Sequence, residues 1–297
     1  MTEFFLKIFS FFKKIKTDYL STILLIVFLC LLAYGLLIPW LGFYWDDWGF
    51  AWTINFLGPK EFIPSFIPFR PFLGPIFTLT TSIIGVSPIA WQLFGLLVRI
   101  FSGFVAFWSL RQIWPKAKLQ TLLTALFFVV YPGYNQQWVA LTHGNRELIP
   151  LICYLLSIGF MVKAVKSETI SIKLCLIAVM FAFWGLYPTE YFFGLELLRP
   201  LILWFVLREK PSENRSIVRR TILAWVPYLL LWISNVLFLY AYHNSAYYHS
   251  YGVNINLITD ASIKTLFLQT IEIFVQAIIT TGINAWANTI TLLTKPL

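Results

Sequence analysis

Residues 19 to 43, YLSTILLIVFLCLLAYGLLIPWLGF, run without a single charged side chain. A helix rises about 1.5 Å per residue, so about 20 apolar residues bridge the hydrocarbon core of a bilayer. This stretch is therefore predicted to cross a membrane, and in lipid a spanning chain must satisfy its backbone polar groups internally. The expected fold class is all-α, a polytopic transmembrane helical bundle. Composition agrees, since 59% of the 297 residues are hydrophobic, 19% aromatic and only 12% charged. Soluble domains carry about 25% charged residues, and the mean hydropathy here is +0.76. A formal net charge of +9 would point a soluble protein toward nucleic acid, but the cations lie in clusters between apolar runs. That pattern sets membrane orientation, so no nucleic-acid partner is expected. Cys30, Cys153 and Cys175 fall inside apolar segments and are odd in number, which argues against a disulfide framework and a thiolate metal site.

Spans are expected near 19–43, 89–111, 119–131, 148–165, 172–187, 191–207, 221–243 and 265–290, the third and fifth being short. Before them, residues 1–18 place Phe4, Phe5, Ile8, Phe11, Phe12 and Ile15 at helical spacing beside Lys7, Lys13, Lys14 and Lys16. This describes a cytoplasmic interfacial amphipathic helix on an anionic surface. A signal peptide is disfavoured because the next apolar run is long enough to span. With the N-terminus in the cytoplasm, the inside segments also hold Arg111, Lys116, Lys118, Lys163, Lys166, Lys173, Arg208, Lys210, Arg215, Arg219 and Arg220. Only Lys60, Arg70, Arg146 and Lys264 lie outside, so the positive-inside rule holds at every loop. The expected location is a bacterial cytoplasmic membrane, with residues 19–297 forming the functional region. The apolar ending TLLTKPL leaves room for a further C-terminal region.

Orientation places the chain's scarce acids on the outer face. Asp46 and Asp47 follow the first span in FYWDDWGF, hemmed by Tyr44, Trp45 and Trp48. Adjacent carboxylates beside an apolar wall push at least one pKa upward, which suits a proton acceptor or a metal ligand. The bland alternative is a pair of acids facing headgroups within an aromatic belt. The first outer loop, about 44 to 88, is broken by Pro59, Pro64, Pro68, Pro71 and Pro75, and residues 71–85 read as an interfacial amphipathic helix. Arg70 either binds an anion or snorkels to headgroups. Arg146 and Glu147 either line a site or pair locally at the start of a span near Leu148. Glu190 sits in a tight outer turn with few solvating partners. Arg99, about two turns inside a span, must face the bundle interior or a cavity. His243 and His249, with four tyrosines in AYHNSAYYHSYGVN, make a weak zinc signal, and aromatic stacking on a sugar or an interfacial belt suits them better. Asn214-Arg215-Ser216 matches a glycan-acceptor triplet but falls on the cytoplasmic side.

Taken in order, these pieces resemble the GT-C superfamily of polyprenyl-phosphate-sugar glycosyltransferases, in its protein O-mannosyltransferase-like and tetratricopeptide-containing transmembrane O-mannosyltransferase-like branches. Four features over about residues 20 to 205 carry the resemblance. They are the acidic pair Asp46-Asp47, the Arg70-Pro71 step before a helix, the outer turn with Pro132, Val139-Ala140 and Gly144-Asn145-Arg146-Glu147-Leu148, and Glu190 between short spans. The chain departs from the pattern with Gly95 and Arg99 where the family often has Asn and His, and with Thr189 where it has Lys; no tetratricopeptide repeats are present. The resemblance implies a GT-C-like bundle that takes sugar from a polyprenyl-phosphate donor and passes it to an extracytoplasmic glycan, lipid or protein acceptor. It implies Asp46 or Asp47 as the catalytic base, with Trp48, Arg70, Arg99, Arg146, Glu147, Glu190 and His243 binding substrate. The paired acids would suit a divalent cation, and the resemblance implies no other cofactor.

Elementary chemistry supports the same kit. Sugar transfer from a lipid phosphate needs one base for the acceptor proton and cations for the departing phosphate, whereas glycoside hydrolysis calls for two opposed carboxyl groups. The competing readings are a transporter or flippase of a lipid-linked sugar or other amphiphile, which predicts two related halves with broken helices, and a non-catalytic membrane scaffold.

Overall fold

The computed structural model describes residues 18–134, 136–167, 171–209, 216–245 and 262–294, and among these it is helical, with no strand. The expected amphipathic helix at the N-terminus, His249, and the Asn214-Arg215 part of the glycan-acceptor triplet lie outside the described residues. The chain divides into two compact units, one of residues 1–130 and 136–248, the other of residues 131–135 and 249–297.

Four helices of the first unit are long and apolar enough to cross a membrane, which makes this a membrane protein. These are α1 (Tyr19–Trp40), α5 (Pro88–Ile113), α7 (Ala140–Lys166) and α10 (Ile217–His243). Between α1 and α5 lie three shorter helices, α2 (Asp46–Phe56), α3 (Phe62–Phe66) and α4 (Leu73–Ile84). Then come α6 (Lys118–Val129), α8 (Ile172–Leu186), a tight 3-10 segment (Glu190–Leu198) and α9 (Arg199–Arg208). The sixth expected span is thus split in two. The second unit contains α11 (Ile263–Ile278) and α12 (Ala285–Thr294), joined by a wide π-type turn at Ile279–Asn284. Within that unit the Tyr131 hydroxyl donates to the Thr281 carbonyl at 2.9 Å.

Helix starts follow local chemistry. Asp18 accepts from Ser21 N–H at 3.0 Å, and Ser87, Ser171 and Ser216 each accept from a backbone N–H in the first turn of α5, α8 and α10. Such side chains satisfy amide donors that the helix itself leaves open. Gly85, at φ 71°, turns the chain between α4 and α5 in a conformation costly for other residues, and its carbonyl accepts from the buried Trp91 indole at 2.8 Å.

Three apolar clusters hold the first unit together. Ile26, Cys30, Phe107, Leu122 and Val129 join α1, α5 and α6. Tyr154, Ile158, Met161, Ala178, Leu203 and Tyr228 join α7 to α10. Gly185 sits so close to Tyr154 that a Cβ would lie 2.8 Å from its backbone, which is why α7 and α8 pack tightly there. The third cluster, Phe62, Phe66, Leu73, Phe77, Trp91 and Leu141, fastens the segment between α1 and α5 onto α5 and α7.

The helix expected within residues 71–85 forms over Leu73–Ile84, with Leu73, Ile76, Phe77 and Thr81 inward while Leu79 and Ile83 stay exposed. The ends of the bundle differ in charge. Lys166 donates to the Gln112 carbonyl at 2.6 Å at the end where α5 and α7 finish, close in sequence to Arg111, Lys116 and Lys163. At the other end, where α1 and α10 finish and α5 and α7 begin, stand Asp46, Arg70, Arg146, Glu190 and His243.

Candidate functional site

The acidic pair is divided by the start of α2. Trp45, which precedes it, adopts φ 47° and ψ −122°, a conformation uncommon for any residue but glycine and worth about 1–3 kcal/mol of strain. Its ring meets Trp138 at 5.0 Å, and Tyr44 meets the same indole at 4.9 Å, so aromatic packing holds the strained turn. Helical rotation then sends the two carboxylates different ways. Asp46 remains 65% exposed, whereas Asp47 is fully buried.

Asp47 is occupied by α7. Its carboxylate accepts from the Thr142 N–H at 2.8 Å, from the Thr142 hydroxyl at 2.6 Å and from the Leu141 N–H at 3.4 Å. These are open amides of the first turn of α7, so Asp47 caps that helix from a distant part of the chain. Burial pushes the Asp47 carboxyl up by more than these hydrogen bonds and the nearby His143 pull it down.

This cap corrects an expectation. The sequence reading begins the fourth span near Leu148 and leaves Gly144 to Glu147 in an outer turn; instead α7 begins at Ala140 and widens into a π-type turn over Gly144–Leu148. Arg146 and Glu147 stand 3.5 Å apart and lie two turns inside the helix rather than at its start. The π turn fits one extra residue into the helix, a feature frequent at functional sites, and Arg146 within it stands 3.8 Å from Asp46. Glu147 also lies 2.6 Å from Nδ1 of the buried His143. Asn145 holds the turn from behind, accepting from the Thr80 hydroxyl of α4 at 2.8 Å and donating to the Leu141 carbonyl at 2.8 Å.

Arg70 and Glu190 make a second ion pair. Arg70 Nη2 donates at 2.9 Å and Nε at 3.2 Å to the two carboxylate oxygens, a fork geometry that suits arginine. The Arg70 guanidinium also stands 5.3 Å from the Tyr191 ring centre. Burial raises the Glu190 carboxyl, but the Arg70 bonds and charge outweigh it and hold it below the ordinary carboxylate range, with His243 adding a smaller pull. His243 is the exposed last residue of α10.

Arg99 faces the bundle interior, as its position requires. It is 1% exposed, its Nε donates to Gln137 at 2.9 Å and its guanidinium lies 5.6 Å from the Tyr34 ring centre. A recess of about 160 Å³ opens beside it, lined by Tyr34, Leu37, Gln92, Leu96, Gln137 and Trp138. Arg99 is not in that lining and meets it through Gln137. Trp48 is exposed and packs edge-on against Phe43 at 5.8 Å.

The ion pairs at this end therefore fall into two groups, Asp46–Arg146–Glu147–His143 and Arg70–Glu190. No group of three His, Cys, Asp or Glu side chains among the described residues is arranged to hold a metal ion. Sequence reasoning passed over His143, although it stands four residues before Glu147 and shares a helix face with it. It also passed over Glu196 and Arg199, which are both fully buried. Arg199 Nε donates to Glu196 at 2.6 Å and its Nη1 to the Ser157 hydroxyl at 3.1 Å, while its guanidinium stacks 4.2 Å from the Tyr228 ring centre. The signal was two opposite charges three apart in an apolar run. No family model, curated protein or solved structure matches the chain.

Proposed function

We propose that this membrane protein is a GT-C-like glycosyltransferase, moving a sugar from a polyprenyl-phosphate donor to a hydroxyl of an extracytoplasmic acceptor. The observation that carries the reading is the Asp46–Arg146 pair: an exposed carboxylate beside a guanidinium, 3.8 Å apart, held by a strained turn on one side and a π turn on the other. Base and phosphate-binding cation are the two groups that the reaction requires.

In this reading Asp46 is the base, because Asp47 is buried and its oxygens already accept from α7. The acceptor hydroxyl attacks the anomeric carbon and gives its proton to Asp46. The bond between that carbon and the phosphate oxygen breaks, and its electron pair leaves with the polyprenyl phosphate. Arg146 offsets the charge that develops on the leaving oxygen. Glu147, in contact with both Arg146 and His143, orients the guanidinium. Arg70 and Glu190 bind the sugar or close the outer segment over it. The clustering of cations at the opposite end of the bundle supports an N-terminus in the cytoplasm and a site that faces outward.

A transporter of lipid-linked sugar is the competing reading, favoured by the interrupted helices at Leu31–Gly35 and Gly144–Leu148. Detergent separates the two. Purified protein incubated in micelles with a radiolabelled polyprenyl-phosphate sugar and envelope extract should transfer label to acceptor without any sealed compartment. Label movement that occurs only across the wall of sealed proteoliposomes would establish the transporter instead.

A further inference from the structure

Helix α2 carries a face that the rest of the protein leaves uncovered. At about 100° per residue, Trp48, Trp52 and Phe56 share one arc, and they are 63%, 54% and 67% exposed. Trp45, just before the helix, is exposed as well. The opposite arc, Asp47, Ala51 and Ile54, is buried in the cluster around Phe62 and Leu141. The helix is amphipathic in an unusual sense, with a packed side and an aromatic side.

Three observations identify what covers the aromatic side. It continues along the chain from the outer end of α1, where Leu36, Leu37 and Trp40 are exposed on a membrane-crossing helix. It carries no charge, since the only ionisable residues of α2 are Asp46 and Asp47. The Thr53 hydroxyl, at the margin of the arc, is turned onto the Gly49 carbonyl at 3.0 Å. With 11 residues α2 is too short to cross a bilayer, and tryptophan is the side chain most suited to the boundary between headgroups and acyl chains.

We propose that α2 lies along the membrane–water boundary, with Trp45, Trp48, Trp52 and Phe56 set into lipid and the bilayer as the partner of this surface. Asp46 stands on the flank of the helix, between the aromatic and the packed arcs, so the same placement holds its carboxylate at headgroup level. A lipid-borne phosphate would then meet it from the side. The placement rests on the membrane assignment alone and stands whether or not the protein transfers sugar.

Spin-label depth measurements test it on the full chain in phosphatidylcholine–phosphatidylglycerol vesicles. In a background with Cys30→Ala, Cys153→Ala and Cys175→Ala, a nitroxide is attached singly through Trp52→Cys, Phe56→Cys or, as an aqueous control, Lys60→Cys. Labels at 52 and 56 should collide several-fold more with oxygen, relative to a water-soluble nickel chelate, than the label at 60. Equal ratios at all three sites would overturn the proposal. So would labels at 52 and 56 shielded from both reagents, which would mean that protein covers the face. A second measurement avoids labelling: lipids brominated near the glycerol end should quench wild-type tryptophan fluorescence more than that of the Trp48→Phe/Trp52→Phe variant. Unchanged fractional quenching would contradict lipid contact.

Discussion

Asp47 and Thr142 stand 95 positions apart, yet the Asp47 carboxylate receives both the backbone N–H and the hydroxyl of Thr142, at 2.8 Å and 2.6 Å. The contact ties the segment after α1 to the first turn of α7. It also fixes where α7 begins, and hence where the π turn places Arg146. Two neighbouring acids consequently stand in different surroundings: Asp47 is buried against α7, whereas Asp46 is 65% exposed beside Arg146.

That division is measurable as stability. Asp47→Ala leaves the buried Thr142 and Leu141 donors without an acceptor, at a cost of about 1–3 kcal/mol, and should lower the Tm in detergent. Asp47→Asn keeps a carbonyl oxygen at the same place and should be close to wild type in Tm. A fall in Tm equal to that of the alanine variant would show that the charge, rather than the acceptor, caps α7.

The pH dependence has a defined sign. Burial raises the Asp47 carboxyl above its usual 3.8, so folding favours its protonated form. The stabilisation is complete below pH 3.8 and is lost as pH rises through the raised value. Wild-type Tm, compared with that of Asp47→Asn, should therefore decline as pH increases from about 4. Parallel Tm–pH curves for the two proteins would contradict this.

Arg70 and Glu190 titrate in the opposite sense. Burial works against the Glu190 anion but Arg70 outweighs it, and the carboxyl is held below its usual 4.5. The pair contributes above pH 4.5 and is lost as pH falls through the lowered value. Because Glu190 is half exposed, a double-mutant cycle with Arg70→Gln and Glu190→Gln should give a coupling of only about 0.2–1 kcal/mol, shrinking with added salt. Arg70→Lys should lose most of it, since an ammonium cannot reproduce the fork. Coupling that salt leaves unchanged would place the pair in a shielded site.

Glu196 and Arg199 should behave as one unit. Removing either partner strands a fully buried charge, with an expected loss of about 3–5 kcal/mol, so Glu196→Gln and Arg199→Met should each lower the Tm markedly. The double variant should lose much less than the sum. Additive losses would mean that Ser157, Tyr154 and Tyr228 hold each charge independently.

Four of the eight expected spans, those near 19–43, 89–111, 148–165 and 221–243, are helices long enough to cross a membrane, and they were legible because unbroken apolar length is a local property; the other four are short or broken helices. The helix within residues 71–85 was legible locally too, through its amphipathic pattern. The start of α7 was not legible. Its first-turn amides are capped by Asp47, a residue on another helix, and no local signal marks Ala140 as a helix start. The Asp46–Arg146 contact follows from that hidden boundary and from the π turn, neither of which a regular helical period describes. The Glu196–Arg199 pair was legible in principle, being opposite charges three apart, but the apolar run around it read simply as a span. Arg99 was placed correctly inside the bundle because an isolated cation in lipid has nowhere else to go.

The proposed mechanism has Asp46 accept the proton of the attacking hydroxyl. Its most direct test is the acceptor-dependent release of polyprenyl phosphate from donor by purified wild type and by Asp46→Asn, which preserves shape and leaves the α7 cap untouched. Loss of general-base catalysis should lower kcat by about 10²–10⁴-fold with little change in donor KM. Release by Asp46→Asn within a few-fold of wild type would remove Asp46 from the mechanism and the sugar-transfer reading with it.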